Sequence, residues 1–507
     1  MFVNVVSCAV FGIDGYVVNV EVDLSSGLPT FEIVGLPDSA VKESRERVRA
    51  AIRNSGFNFP IKRITVNLAP ADTKKSGPSF DLPIAIGIMA SVGIIPLEAC
   101  KDNFFAAELS LDGNLRPISG VLAMVLAAKK IGINNFFVAY ENAEEASLAD
   151  GCMVYAAKTL NEIALHFTTE MMPAYKRKEY FNITPQTYQT DFSDVSGQKY
   201  VKRALEIAAA GNHNTLMLGP PGAGKTMLAR RMPSILPELT FDESLEITKI
   251  YSVAGQLLRK NSLVKERPFR TPHHTASHIS LTGGGRIPTP GEISLAHGGV
   301  LFLDELPEFG KRTLETMRQP LEDGCITITR AGGVCTFPSV FLLLAAMNPC
   351  PCGYLGQPRC NCSQGEISKY LDKISGPLLD RFCITIEATP VSYDELSSKG
   401  KTEENSATIK SRVELARNIQ NKRFQNENIR ENAKMTAALV NKYCKLCRES
   451  SNFLKQVFDT LPMSARAYHK ILKVSRTIAD LEDSPEIQPE HVAEAVAYRG
   501  LDRKFWR

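Results

Sequence analysis

The stretch "TLMLGPPGAGKTMLARRM", residues 215–232, decides the fold. A short apolar run leads into Gly219-Pro220-Pro221-Gly222-Ala223-Gly224-Lys225-Thr226, and a helical segment follows. Glycines at this spacing let backbone N–H groups close around phosphates. Lys225 neutralises β/γ charge, and the Thr226 hydroxyl ligates Mg²⁺. The strand before and the helix after set this apart from a chance match of the bare pattern. ATP and Mg²⁺ are the expected ligands.

Working outward, "GVLFLDE" and "SVFLLLAAMN" are further short apolar runs, each ending on a polar residue. Unalternating runs of this kind read as central strands of a parallel sheet covered on both faces by helices. Ligands of such sheets sit at the carboxyl ends of the strands. Asp304 is placed there to hold Mg²⁺, and Glu305 to orient and deprotonate the attacking water. Asn348 ends the neighbouring run and can position the same water. Arg381, in "SGPLLDRF" just before the strand "CITIE", is open to two roles. It is either an ion-pair partner or, in a ring, a finger reaching a neighbour's γ-phosphate.

The chain has 507 residues, 44% apolar and 22% charged, with a formal net charge of +4. That length calls for two to four domains. The mild charge permits nucleic-acid binding without arguing for it. The start "MFVNVVSCAVFGIDGY" lacks the basic region of a signal peptide. The greasiest stretch, "IAIGIMASVGII" (84–95), is too short to span a bilayer. A cytoplasmic protein without membrane contact is expected, with reduced thiols.

Residues 1–170 alternate strand and helix signals and form one α/β domain. "RITVNLA" puts Ile64, Val66 and Leu68 on one face. "DSAVKESRERVRAAIRNSG" reads as a helix capped by Asp38 or Ser39 and stopped by Gly56. Residues 171–190, with Lys176-Arg177-Lys178, read as a linker. Residues 191–395 hold the phosphate-binding domain, and 396–507 are polar and helical.

With Asp194-Val195-Ser196-Gly197-Gln198, the phosphate loop, Asp304-Glu305, Asn348, Arg381 and Arg466 in "LPMSARAYHKIL", the sequence resembles a complete AAA+ ATPase. Arg466 would be the sensor arginine of a helical lid. "RPFRTPHHTASHISLTGGG", "PTPGEISLAHGGVLFLDELPEF" and "MRQPLEDGCITITRAGG" narrow the resemblance to the magnesium-chelatase-like YifB/ComM family, over nearly the whole chain. The resemblance implies a ring-forming ATPase, usually a homo-hexamer. In one branch of the family it is a DNA motor that drives branch migration during natural transformation.

Two segments bear on DNA. "RPFRTPHHTASHISLTGGGRIPTPG" (267–291) corresponds to an insert that projects into the ring's pore in this clade. "GCITITRAGGVCTFP" (324–338) reads as a hairpin with "AGG" as its turn. Arg270, Arg286 and Arg330 on these loops, repeated around a ring, would line a positive channel that binds strands without reading bases. The alternative is that they contact neighbouring subunits. His273 and His274 have no acidic or cysteine partner near in sequence, so a structural or phosphate-contacting role is expected of them.

The front of the chain resembles the Lon protease catalytic domain (a ribosomal S5 domain 2-like fold) at "KKSGPSFDLPIAIGIMAS" and "AELSLDGNLRPISGVLAMVLAAKKIG". Ser79 falls at the nucleophile position. That chemistry needs a lysine downstream, and this chain reads Val121-Leu122-Ala123-Met124 there. A Lon-like domain without peptidase activity is expected.

Finally, "NPCPCGYLGQPRCNC" (348–362) packs Cys350, Cys352, Cys360 and Cys362 into one loop. Four thiolates make a closed structural zinc site rather than a catalytic one. Cys-x-Cys is tighter than the usual spacing, so free thiols remain the alternative. Two functions stay open. One is a DNA-translocating ring acting on recombination intermediates. The other is a magnesium-chelatase-type chaperone ATPase that remodels a protein partner.

Overall fold

The computed structural model describes residues 1–177, 190–257, 263–285, 288–330, 333–390, 403–460 and 464–505. The amino-terminal domain is built on β1 (Phe2–Phe11), β2 (Asp14–Ser25), β3 (Thr30–Val34), α1 (Ser39–Asn54), β4 (Arg63–Ala69), α2 (Asp81–Ser91), β5 (Asn103–Ala106), α3 (Val121–Lys130), β6 (Asn135–Ala139) and β7 (Met153–Ala157). Its seven-stranded mixed sheet runs β3-β4-β2-β1-β5-β6-β7. The alternation expected in β4 is observed, with Ile64, Val66 and Leu68 all buried. Asp38 caps α1 by accepting from Val41 N at 2.9 Å, as an N-cap carboxylate should. The apolar stretch 84–95 supplies α2, every residue of which is buried.

The central domain carries α4 (Lys199–Gly211), β8 (Thr215–Leu218), α5 (Lys225–Arg231), α6 (Phe241–Val253), β9 (Phe269–Arg270), β10 (Val300–Leu303), β11 (Cys325–Arg330), β12 (Gly333–Pro338), β13 (Leu342–Met347) and β14 (Ile384–Glu387). Its five-stranded sheet has the order β9-β10-β13-β8-β14, and every pairing in it is parallel. All three apolar runs read from the sequence are its buried central strands. The hairpin β11–β12 pairs from Cys325–Pro338 to Arg330–Gly333, while Ala331 and Gly332 lie outside the described residues.

The helical region comprises α7 (Ser406–Arg423), α8 (Ala437–Tyr443), α9 (Arg448–Thr460), α10 (Ala465–Leu481) and α11 (Pro489–Ala497). It shares one apolar core with α4 and the central sheet, through Ile409, Val413, Ala416, Ile471 and Leu472. The last carbonyls of α4 have no partner within their own helix. Arg417 and Gln420 of α7 cap them, donating to Ala209 O and Ala210 O at 3.0 Å each. His213, just beyond α4, meets Thr477 Oγ1 of α10 at 2.7 Å. The lid is thereby fastened to the amino-terminal edge of the sheet, away from the carboxyl edge where ligands bind. Cys444 and Cys447 do not share one helix: Cys444 closes α8, and Cys447 precedes α9 and meets Ser450 Oγ at 3.0 Å.

The amino-terminal domain is seated on the central one. Leu122 and Leu148 pack with Leu263. The Ser252 hydroxyl donates to buried Glu145. Phe11, at the tip of the β1–β2 hairpin, abuts Gly333 of β12, where an added Cβ would come within 2.8 Å of its ring. Arg177, expected on a solvated linker, pairs with Asp150 and lies over the Phe241 ring at 5.3 Å. Lys178 is outside the described residues. No helix among the described residues is long and apolar enough to cross a membrane.

Candidate functional site

The loop from Gly219 to Gly224 joins the carboxyl end of β8 to α5. Gly222 and Gly224 take positive φ, +78° and +79°, and an added Cβ at either would meet nothing within 4 Å. The loop therefore borders open space that side chains would fill, as a phosphate cradle requires. Lys225 is buried. Its Nζ donates to Gly219 O at 2.6 Å, Pro220 O at 3.0 Å and Asn348 Oδ1 at 3.1 Å. Burial pushes its pKa below the ordinary lysine range, with Asp304 and Glu305 pulling the other way. An amine held in this way gains by exchanging carbonyl partners for phosphate oxygens.

Asp304 follows β10, next to β13 and one strand away from β8 in the sheet. The Thr226 hydroxyl donates to Asp304 Oδ2 at 2.6 Å, so the two expected Mg²⁺ ligands meet. Glu305 has φ +51°, a left-handed backbone that costs a non-glycine residue about 1 kcal/mol or more. Its side chain is 56% exposed and approaches His274 Nδ1 at 3.4 Å. The sequence did not single out this partner. His274 lies 31 positions upstream, and only the parallel pairing of β9 with β10 brings its segment alongside Glu305.

Two of the expected catalytic groups lie elsewhere. Arg381 precedes β14, and Asn214, at the start of β8, donates to its carbonyl at 3.1 Å. Arg381 is thus at the amino edge of the sheet whose carboxyl edge holds Lys225, Asp304 and Asn348. Four residues of strand separate the edges, about 13 Å at 3.3 Å per residue. The Arg381 guanidinium pairs with Glu322 at 2.7 Å, its side chain 15% exposed. Arg466, expected as the sensor arginine of a helical lid, is not beside the phosphate loop. It is instead beside Arg381: its Nη1 reaches Asp380 Oδ2 at 3.5 Å, and the side chain is 67% exposed. Both arginines line one cavity with Lys434, His469, Lys470 and Lys473. The physical reason is the lid's attachment to the far end of α4.

Of the candidate DNA contacts, Arg270 is turned inward. Its Nε and Nη2 make a bidentate pair with Glu292 at 2.7 and 2.6 Å. That pair occupies the fork a phosphate would need, so in this structure Arg270 braces Glu292 and is not free for a strand. Arg330 is exposed at the end of β11, its Nη1 donating to Thr329 O at 2.9 Å. Its Nη2 lies 3.2 Å from where a Gly284 Cβ would be, so the hairpin and the 267–291 segment adjoin. Arg286 lies outside the described residues.

In the amino-terminal domain, Ser79 is buried within a turn of 3₁₀ helix. Val121, Leu122, Ala123 and Met124 are buried apolar residues of α3, while Lys129 and Lys130 are exposed. The four loop cysteines converge: one sulfur from each of Cys350, Cys352, Cys360 and Cys362 lies within 4.8 Å of all the others.

The chain is similar to known proteins over nearly its whole length. Residues 191–396 match the family described as magnesium chelatase, subunit ChlI. Residues 20–142 match subunit ChlI of Mg-chelatase, and 403–499 match its C-terminal part. Competence protein ComM of Haemophilus influenzae is 45% identical over 507 residues, covering 98% of this chain and 97% of that protein. YifB of Escherichia coli is 43% identical over 498 residues, covering 98% and 96%. Lon protease 2 of Bacillus subtilis is 34% identical over 143 residues, 27% of this chain and 25% of its own. A Lon-like front, a parallel phosphate-loop sheet and a helical end thus stand in one chain, which belongs to the YifB/ComM family of magnesium-chelatase-like AAA+ proteins.

Proposed function

We propose that this chain is an ATP-hydrolysing subunit of a closed homo-oligomeric ring, a hexamer by family resemblance, that moves DNA and promotes branch migration of recombination intermediates. One observation carries the reading. Lys225, Thr226, Asp304, Glu305 and Asn348 gather at the carboxyl edge of the sheet, and Arg381 with Arg466 gathers at the amino edge. This separation supports a reading in which Arg381 and Arg466 act on a neighbouring subunit's phosphate loop, a head-to-tail contact that forms a ring where its rotation closes.

Thr226 and Asp304 fit Mg²⁺, since a hydroxyl and a carboxylate meet with the loop's open side before them. The ion would screen charge on the β- and γ-phosphates. Lys225 and the loop N–H groups hold the triphosphate. Glu305 takes the proton of the attacking water, and Asn348, tied to Lys225, orients that water. A neighbour's Arg381 leaves Glu322 to meet charge developing on the γ-phosphate.

For DNA, the support is the exposed Arg330 next to the 267–291 segment, together with a full-length relative named as a competence protein. A protein-remodelling chaperone is the second reading, favoured by the magnesium-chelatase profiles that match all three regions. Steady-state ATP hydrolysis, alone and with single-stranded, duplex or four-way-junction DNA at low salt, separates the two. Stimulation that fades with salt is expected. A flat response to every DNA with intact basal turnover moves the reading to the chaperone.

A further inference from the structure

We propose that Cys350, Cys352, Cys360 and Cys362 bind one zinc ion whose task is to brace the phosphate loop. The sulfur spacing argues for a shared ion. Cys350 and Cys352 Sγ are 3.4 Å apart, Cys350 and Cys360 3.9 Å, and Cys352 and Cys360 3.7 Å. A tetrahedron with Zn–S of about 2.3 Å has S–S edges of about 3.8 Å. A disulfide needs about 2.05 Å, and every one of the four is a free cysteine. Four soft donors with no oxygen or nitrogen ligand select zinc over the oxygen-seeking Mg²⁺ of the neighbouring site.

The brace follows from what the loop touches. Gly353 N donates to Cys350 O at 3.0 Å, closing a tight turn inside the cluster. Gly353 has φ +86°, and a Cβ there would meet Pro221 Cδ at 2.5 Å, Pro221 Cγ at 2.9 Å and Asn348 Cγ at 3.7 Å. The cysteine turn therefore rests directly on the phosphate loop at Pro221. It also begins two residues after Asn348, whose Oδ1 accepts from Lys225. Cys350 is fully buried in the apolar cluster on the other side of the turn, with Tyr370 and Met347. The turn is thus clamped between that core and the phosphate loop. A tetrathiolate ion fixes both ends of the 350–362 segment at once and so holds Pro221 and Asn348 in register with Lys225. Loss of the ion, by chelation or thiol oxidation, would loosen the nucleotide site while leaving every phosphate-loop residue in place.

This inference rests on the ATP-binding reading for its consequence but not for the metal, and the two are tested separately. Zinc in the purified full-length protein is measured by plasma mass spectrometry. It is also measured by release to a metallochromic dye during mercurial titration of the thiols. MgATP affinity is measured on the same samples. One zinc per chain is expected, lost in the Cys352→Ser/Cys360→Ser variant together with a severalfold drop in affinity. To guard against a folding defect in that variant, Gly353→Ala is measured beside it. It keeps all four cysteines but drives a methyl group into Pro221, so it should retain zinc and still bind MgATP severalfold more weakly. Sub-stoichiometric zinc, or iron in its place, overturns the metal assignment. Wild-type affinity in a zinc-free variant, or in Gly353→Ala, overturns the brace. A wild-type protein that holds zinc but binds no MgATP leaves the metal standing and refutes the ATPase reading instead.

Discussion

His274 Nδ1 lies 3.4 Å from Glu305 Oε2. This contact joins the residue expected to activate water to the segment that carries Gly284 alongside Arg330. A carboxylate anchored in this way answers to whatever moves the segment. His274→Ala should leave the KM for ATP near wild type, raise unstimulated turnover severalfold and shrink the ratio of DNA-stimulated to basal rate. His274→Asn, which keeps a donor, should restore part of that ratio. An unchanged ratio in His274→Ala would show the contact to be incidental.

Glu305→Gln retains the side chain's shape and removes its basicity. Hydrolysis should fall by on the order of 10²-fold or more, while MgATP binding persists through Lys225, Thr226 and Asp304. Single-turnover quench of bound ATP checks this. Near-normal turnover would remove Glu305 from its role.

Arg381→Ala should bind ATP normally and hydrolyse it on the order of 10³-fold more slowly. Its position at the opposite edge of the sheet predicts something a residue acting within its own subunit could not do. Mixed with wild-type chain, it should disable wild-type phosphate loops beside it, while a Lys225→Ala subunit should still activate its neighbour. Titrating each variant into wild type and following ATPase activity distinguishes the two patterns.

Arg330→Ala should weaken DNA binding across all sequences. It should also lower the slope of log affinity against log salt by about one for each phosphate left without its cation. Arg270→Ala should act on stability instead, since it leaves Glu292 without its bidentate partner. Anisotropy titrations at several salt concentrations, with thermal melts of both variants, test the contrast.

His213 is fully buried, its Nδ1 has no hydrogen-bond partner, and burial pushes its pKa down from 6.5 to about 3. The unfolded chain therefore binds this proton more readily than the folded one. Its contribution is complete above pH 6.5 and is lost on acidification toward pH 3, at on the order of 1.4 kcal/mol per unit. His213→Gln can keep a bond to Thr477 and should flatten this limb of the stability profile. Melting temperatures of the two proteins between pH 7 and pH 4 should diverge if the assignment is right.

The phosphate-loop sheet was legible because its parts are local. A strand, a glycine loop and a helix lie within eighteen residues, and Asp304, Glu305 and Asn348 each close an apolar run. The amino-terminal helix α1 was legible with its cap narrowed to Asp38 or Ser39, of which Asp38 is the one that caps. What escaped depends on pairings far apart in sequence. The two-residue strand β9 is too short for any periodicity, yet it carries His274 to Glu305. Arg270 had the charge of a DNA contact, but Glu292, 22 residues later, claims it. Arg466 reads as a lid residue, which it is. Nothing in its neighbourhood says that Arg417 and Gln420 fasten that lid to the far end of α4. The cysteine spacing pointed to a metal, whereas the rest of Gly353 against Pro221 is a fact of tertiary packing alone.

The separation of the phosphate loop from Arg381 by the length of the sheet has an arithmetic consequence. In the proposed head-to-tail assembly, copies would share sites across each junction, so an open row of n subunits would contain n − 1 complete sites and one bare end of each kind. Closing the row adds the missing site without adding a subunit. Total turnover then counts junctions, so it rises more steeply with protein concentration than the amount of protein does until the last junction forms.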